Sequence, residues 1–491
     1  MVSFYLRFAP IVVTFTVVSV CLAQEVIPLY DGPSGATCDY YNTAARIPWK
    51  TRGGDWIDAK GKQDGPEPYA ERVIAQEASA VPVQWDVTEL VRRWLEQPSS
   101  NGGLLVQAIP ATRSGVVNFY SRESSEPAYH PRLRITFTDR TEKEIPPAAD
   151  TSLHCSTNKS LGKMEILRIG GGYRSLLYFD MRPVAAASGL QRAVLELTKQ
   201  AEGQTGAATA GVYELDAPRI DRSAQVRRGL ADRYPNDQGI ERHPAVVKFE
   251  GFESRSWTNG WAIQKESVFR VVDRDESLRF EPLQGRALRV TVRKGGNLGL
   301  NMEYYFEKGS EPEEIYFRYY QRFGSNWAPI ADGGKMPGVA GTYGMQGRAT
   351  GTNGWSIRSE FLRKPERENP LARYTVAASY AYHADQEGRY GDLWVWSLGP
   401  RGFLENNRWY AIEHYVKMNT PGRNDGIYKV WLDGRLVFEK TDVRYRDIPK
   451  IKIQKIHVNY WHGGMTPSPY DQDVFIDNLV ISREYVGPMT R

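Results

Sequence analysis

The chain has 491 residues, more than one ordinary domain holds, and its 41% hydrophobic and 25% charged residues exclude a disordered chain. The net charge of +5 favours an anionic partner, but the charges are interspersed, without the Lys/Arg blocks typical of nucleic-acid binding. Aromatic residues make up 12% of the chain, which fits either β-sheet packing or stacking against sugar rings.

The first residues predict a secretory signal peptide over 1–23. Arg7 precedes an apolar run that ends at the small residue Ala23, and this run is too short for a membrane span. No later segment of the sequence is apolar enough to cross a membrane. We therefore expect a secreted, extracellular protein. After cleavage only Cys38 and Cys155 remain, and the sequence leaves open whether they form a disulfide or stay as two buried thiols.

From residue 24 onward the chain is predicted to be all-β. Runs of alternating polarity, bounded by Gly, Pro, Asn and Asp, recur throughout. The clearest helix signal is at 86–95, where Leu90, Val91 and Trp94 share one face and Asp86 is the predicted N-cap.

Two charged, irregular stretches, 142–147 and 221–243, are predicted linkers that bound segments 24–140, 148–220 and 245–486. The motifs of the first two segments lie at 85–88, 101–105, 119–123 and 131–133, and at 149–151, 167–170, 174–180 and 193–197. They resemble the second and first halves, respectively, of the DNRLRE-type carbohydrate-binding β-sandwich of bacterial secreted enzymes. The resemblance implies a carbohydrate-binding role, with one permuted sandwich or two units as open alternatives.

From about 245 the predicted strands become longer. Many long antiparallel strands predict a two-sheet β-jelly roll, whose concave sheet forms a groove suited to a linear polymer. Lys335 lies among glycines and a proline at 333–338, which predicts a shaped loop. Ser356 and Arg358 are two residues apart, as are Tyr380 and Tyr382, so each pair shares one face of a strand. We expect the three stretches to meet on one surface.

These residue types suit β-elimination at a uronic acid. The C5 proton of the sugar is acidified only by the adjacent carboxylate, so a cation must neutralise that carboxylate before a carbanion can form. A base removes the proton and an acid protonates the departing O4. Tyrosine can act in both roles if neighbouring Lys and Arg lower its pKa from about 10.

The three stretches resemble the core of polysaccharide lyase family 14, which includes alginate and glucuronan lyases. That family has a Gly-Gly-Lys-Leu-Pro-Gly loop, a Ser-x-Arg strand and a Tyr-x-Tyr strand in this order. Later motifs at 419–426, 461–464 and 477–478 extend the resemblance over roughly 245–486. The resemblance implies catalytic roles for Lys335, Ser356, Arg358, Tyr380 and Tyr382.

The chain departs from the family pattern at three places. Met336 replaces Leu, Glu360-Phe361 replaces Met-Trp, and a charged insertion occupies 363–373. Further alternating polar residues are predicted to bind substrate: Arg318, Tyr320, Lys417, Asn419, Asn459 and Trp461. The sequence predicts no metal site and no cofactor, and the Glu-x-Asp-x-x-Glu signature of laminarinase-like hydrolases is absent.

The sequence thus predicts a secreted lyase that cleaves a 1,4-linked polyuronate, of alginate or glucuronan type, by β-elimination. Tyr380 and Tyr382 are the predicted proton acceptor and donor. Lys335 and Arg358 are expected to neutralise the carboxylate, and Ser356 to orient a sugar or a Tyr hydroxyl. The alternative is a non-catalytic extracellular carbohydrate-binding protein, lectin-like or adhesive.

Overall fold

The computed structural model describes residues 25–490, except 77–79, 110–114, 185–188, 204, 221–224, 331–332, 346 and 398–401. The predicted signal peptide, 1–23, lies outside the described residues. Strands dominate the part described, which confirms the predicted all-β class. Among these residues, no helix has the length and apolar character that crossing a bilayer requires.

The N-terminal half contains short strands and one α-helix, α1 (Thr88–Glu96). Its strands are β1 (Glu25–Val26), β2 (Tyr40–Asn42), β3 (Ile47–Pro48), β4 (Trp56–Ile57), β5 (Ala70–Ile74), β6 (Val81–Asp86), β7 (Leu104–Ile109), β8 (Val117–Tyr120), β9 (Arg132–Phe137), β10 (Glu142–Ile145), β11 (Ala149–His154), β12 (Ile166–Ile169), β13 (Tyr173–Tyr178), β14 (Leu190–Lys199), β15 (Ala208–Leu215) and β16 (Arg219–Ile220).

Two six-stranded sheets form the sandwich of this half. One has the order β10-β9-β14-β8-β12, with β6 also on β14, and the other has the order β11-β13-β7-β15-β4, with β5 also on β15. Both sheets pack around one hydrophobic core, to which segments 24–140 and 148–220 each contribute. The stretch 142–147 is not the predicted linker, because most of it is β10, paired with β9.

The predicted helix is present as α1, and its apolar face is buried, with Trp94 inaccessible to solvent. Asp86 is not its N-cap. The cap position is Val87, and no side chain caps the helix there. The Asp86 carboxylate instead accepts a hydrogen bond from the backbone N–H of Thr88, with 3.1 Å between Oδ1 and N.

The C-terminal half is a second sandwich of longer strands. They are β17 (Val246–Glu250), β18 (Ala262–Ile263), β19 (Phe269–Val272), β20 (Ala287–Val292), β21 (Leu298–Tyr305), β22 (Glu314–Phe323), β23 (Gly334–Gly341), β24 (Trp355–Phe361), β25 (Tyr374–Tyr382), β26 (Asp392–Val395), β27 (Phe403–Glu405), β28 (Tyr410–Lys417), β29 (Gly426–Leu432), β30 (Arg435–Val443), β31 (Lys455–His462) and β32 (Gln472–Ser482).

Two eight-stranded antiparallel sheets make up this sandwich, as predicted for a jelly roll. The front sheet has the order β18-β21-β31-β23-β24-β25-β26, with β27 on β25, and the back sheet has the order β19-β20-β32-β22-β28-β29-β30, with β17 on β32. Side chains of both sheets form the core between them. In β24, Trp355, Ile357 and Phe361 face this core, so the alternate residues face outward.

The two halves share a third core. Tyr41 and Trp49 of the N-terminal half pack there with Tyr374, Val376 and other apolar residues of the C-terminal half. Polar contacts accompany this packing, since the Asn42 side-chain amide donates to Oδ1 of Asn369 at 3.2 Å. The halves are therefore packed against each other directly.

Cys38 and Cys155 form a disulfide, with their Cα atoms 5.0 Å apart. Of the two alternatives that the sequence left open, the structure therefore has the disulfide. It ties the segment just before β2 to the end of β11.

Candidate active site

The three predicted stretches lie on neighbouring strands of the front sheet. β23, β24 and β25 pair in this order, and their register places Ser356 opposite Tyr382 and Arg358 opposite Tyr380. Lys335 of β23 lies opposite Glu360 of β24. The stretch around Lys335 is not the predicted loop but the start of β23, with a register shift after Lys335. The period-two pattern thus brings all five predicted catalytic side chains to one face.

Lys335 lies at the centre of this face and contacts two neighbours. Its Nζ lies 3.0 Å from Oε1 of Glu360 and 3.4 Å from the centre of the Tyr380 ring. Burial lowers the pKa of Lys335 to about 8, although the Glu360 carboxylate opposes this effect. Burial also raises the pKa of Glu360, against the opposing charge of Lys335. Lys335 is therefore positively charged below about pH 8 and loses its charge above that pH.

Arg358 supplies a second cation beside the first. Its Nη1 donates to Oδ1 of Asn459 at 3.3 Å, while its Nε has no hydrogen-bond partner among the residues that the structure describes. Burial lowers the pKa of Arg358, and the nearby Tyr382 and Glu360 oppose this shift. A guanidinium group is suited to binding an anionic oxygen.

Tyr380 and Tyr382 are in edge-to-face contact, with ring centres 5.3 Å apart and planes at 79°. The Tyr380 hydroxyl accepts a hydrogen bond from the backbone N–H of Gly391 at 3.0 Å. Burial, followed by the neighbouring Tyr382, raises the pKa of Tyr380 well above its ordinary value. The expectation that Lys and Arg lower this pKa is wrong for Tyr380, because burial and the neighbouring Tyr382 raise it. The Tyr380 phenol therefore keeps its proton at neutral pH.

Ser356 and two residues predicted to bind substrate, Asn459 and Trp461, also lie on this face. Ser356 is buried next to Tyr382. Asn459 also donates to the carbonyl oxygen of Leu300 at 3.0 Å, and Trp461 lies opposite Lys335 on β31. A sugar above Lys335 would thus meet an amide and an indole on the neighbouring strand.

The sequence reasoning did not include Glu360 and Asn301 in the site. Glu360 continues the alternation of Ser356 and Arg358, which would have revealed it. The His457 ring nitrogen Nε2 lies 2.6 Å from Oδ1 of Asn301. Burial, together with Arg358, lowers the pKa of His457 well below its ordinary value, so this ring is neutral at neutral pH.

Four residues predicted to bind substrate lie on the back sheet or at the end of one of its strands. Arg318 is fully buried and pairs with Asp237 at 2.7 Å, and the Tyr320 hydroxyl accepts from the backbone N–H of Met489 at 2.6 Å. Asn419 is buried with its amide on backbone carbonyls, and Lys417 ends β28. These four residues therefore lie away from the front-sheet face, because alternation along a strand does not tell which sheet the strand joins.

Comparisons with known proteins agree in part with the sequence reasoning. Residues 284–479 match the family model of polysaccharide lyase 14. Residues 26–135 match that of the disaggregatase related repeat domain, so the DNRLRE-type resemblance is not confirmed. A search of curated proteins finds no match.

Several solved lyases are similar to part of this chain. The alginate lyase Aly36B is 23% identical, covering 43% of this chain and 86% of that one, with a TM-score of 0.35. The PL-14 alginate lyase from Aplysia kurodai is 18% identical, covering 48% and 98%, with a TM-score of 0.38. The endo-β-1,4-glucuronan lyase from the fungus Trichoderma reesei is 15% identical, covering 48% and 95%, with a TM-score of 0.34. The match to the polysaccharide lyase 14 model covers 284–479, less than half of the chain, and shows the family to which this region is similar.

Proposed function

We propose that the protein is a secreted polysaccharide lyase that cleaves a 1,4-linked polyuronate, of alginate or glucuronan type, by β-elimination. One observation carries the proposal. One face of the front sheet carries two cations, Lys335 and Arg358, and two phenols, Tyr380 and Tyr382. Lys335 contacts the Tyr380 ring, Arg358 lies opposite Tyr380, and the two Tyr rings contact each other. The match of 284–479 to the lyase family supports it.

In this scheme the uronate carboxylate lies between Lys335 and Arg358, whose charges stabilise the carbanion-like transition state. Tyr382 is the base that takes the C5 proton. The C5–H electron pair forms the C4=C5 double bond while the C4–O4 bond breaks. Tyr380, whose raised pKa keeps it protonated, donates its proton to O4. Ser356 positions Tyr382, and Asn459 holds the Arg358 guanidinium.

One observation favours the alternative, a non-catalytic extracellular carbohydrate-binding protein. Glu360 already neutralises Lys335, so a substrate carboxylate must compete with it. Both functions require affinity for an anionic polysaccharide. The lyase alone yields an unsaturated product.

The test is ultraviolet absorbance of unsaturated uronates during incubation with alginate, glucuronan and other polyuronates. We expect a rise that Tyr382→Phe and Lys335→Ala reduce at least about 100-fold, the usual size of an acid–base contribution. Tyr129→Phe and Lys417→Ala are matched controls, since both residues are exposed and lie away from the front-sheet cluster. No rise on any polyuronate, with binding retained, would establish the carbohydrate-binding alternative.

A further inference from the structure

A cavity of about 390 Å³ lies where the N-terminal half meets the front sheet. Glu360 and Tyr380 of the candidate active site line it on one side. Pro33, Ser34 and Arg46 of the N-terminal half are among the residues on the other side. Its volume lies within the roughly 300–1,000 Å³ typical of small-ligand sites. The candidate site therefore continues into a space that the front sheet does not form alone.

The N-terminal wall is formed by the turn between β2 and β3, together with Pro33 and Ser34. The Arg46 backbone N–H donates to the Thr43 carbonyl at 3.2 Å, and Arg46 has a left-handed backbone with φ of 48°. Tyr41 and Trp49, on either side of the turn, are buried in the core that both halves share. The turn is therefore held against the front sheet by packing.

The remaining wall comes from the charged insertion at 363–373. Arg363, Lys364 and Glu366 of this insertion line the cavity. Glu366 accepts a hydrogen bond from the Ser34 hydroxyl, which joins the insertion to the N-terminal half. The departure from the family pattern thus has a structural role, since it meets the N-terminal turn.

The charges around the cavity favour an anion. Arg46 and Arg363 are exposed, and the Lys364 ammonium group donates to Oδ1 of Asn406 at 3.1 Å. No carboxylate of a described residue lies within ion-pair distance of these three cations. Two glutamates also line the cavity. Glu360 pairs with Lys335, and Glu366 accepts the hydrogen bond from Ser34. Guanidinium groups match the planar geometry of a carboxylate with two parallel hydrogen bonds.

We infer that this cavity is a subsite for a second uronate residue, built jointly by both halves of the chain, in which Arg46 and Arg363 bind the sugar carboxylate. A polyuronate carries one carboxylate on every sugar, so a chain held at Lys335 and Arg358 presents the next carboxylate one sugar away. The assignment of that sugar as the neighbour of the cleaved bond rests on the proposed function. The binding of the anionic sugar does not depend on cleavage.

The test measures calorimetric binding of saturated tetramers of mannuronate and of glucuronate to the full chain carrying Tyr382→Phe, which prevents cleavage. We expect Arg46→Gln to weaken binding of at least one tetramer about tenfold, as for the loss of a charge-assisted hydrogen bond, and Arg46→Lys to restore part of it. Arg92→Gln on α1 is the matched control, because Arg92 is exposed and does not line the cavity.

Binding by Arg46→Gln within twofold of the parent would overturn the inference, as would a parent that binds neither tetramer. The proposed function fails separately. If the wild-type chain forms no unsaturated product but Arg46→Gln still weakens binding, the subsite stands and the lyase proposal falls. If product forms and Arg46→Gln changes neither KM nor binding, the lyase stands and the subsite falls.

Discussion

Replacing Glu360 with Gln removes the carboxylate partner of Lys335 while keeping the size of the side chain. Burial lowers the pKa of Lys335 to about 8, and the negative charge of Glu360 opposes that effect. Without the carboxylate, burial acts with less opposition and Arg358 still repels the ammonium charge. The pKa of Lys335 must therefore fall below 8 in the Glu360→Gln variant.

The size of the shift follows from the geometry. The charged atoms are 3.0 Å apart, and the two side chains are only 17% and 6% exposed. At an effective dielectric constant of about 20, unit charges at this distance interact by about 5 kcal/mol, an upper bound because a carboxylate spreads its charge. An opposite charge at close range typically moves a pKa by about 1 to 3 pH units. We therefore expect the pKa of Lys335 to fall from about 8 to about 5–7.

The assay is the pH dependence of initial rates of unsaturated product. Because only the charged ammonium neutralises the substrate, activity is lost as pH rises through the pKa of Lys335. The alkaline limb of kcat/KM, which reports the free protein, should move to lower pH in Glu360→Gln. The limb of kcat should move less, since the bound uronate carboxylate replaces Glu360. Glu439→Gln, which removes the partner of Lys429 on the back sheet, is the control. An unchanged limb, or one displaced to higher pH, would refute this role of Lys335.

Three further predictions concern stability. Reduction of the Cys38–Cys155 disulfide, with a sequence separation of 117, should lower the free energy of unfolding by about 5 kcal/mol by the chain-entropy estimate, and denaturant titration with and without reductant measures it. Burial lowers the pKa of His414 from 6.5 to about 3, so below pH 6.5 this group binds its proton only in the unfolded chain, and its contribution to stability should fall by about 1.4 kcal/mol per pH unit down to about pH 3. His414→Asn should change the slope of stability against pH by that amount; a variant with the wild-type slope contradicts this. Arg318→Met leaves Asp237 as a buried charge without its cation and should cost about 3–5 kcal/mol in urea unfolding, whereas an unchanged midpoint would show that the pair contributes nothing.

The sequence predicted the all-β class and which face of a strand each polar side chain takes. Ser356 and Arg358 share a face with the Tyr pair because side chains alternate strictly along a strand. Arg318 also follows an alternating pattern, but the pattern does not show that its strand belongs to the back sheet, where Arg318 is buried. Sheet membership depends on pairing between distant segments, which the local pattern does not contain.

Two properties of the site depended on tertiary packing. The pKa of Tyr380 is raised because its surroundings are dry, and nothing in the local sequence reports that burial. The stretch at Lys335 has the composition of a loop, yet it pairs with strands on both sides. Glycine and proline there accompany a register shift of the kind found at β-bulges. Local composition alone does not separate these two structures.

The core shared by the two halves has a consequence for how such a protein can diversify. Tyr374 and Val376 lie buried against the N-terminal half, and the turn with Arg46 depends on the same contacts. A chimaera that kept 245–486 but received a foreign N-terminal half would present this apolar patch to solvent and lose one wall of the cavity. Exchange of one half alone is therefore disfavoured, unlike exchange of an accessory domain that is joined by a flexible linker.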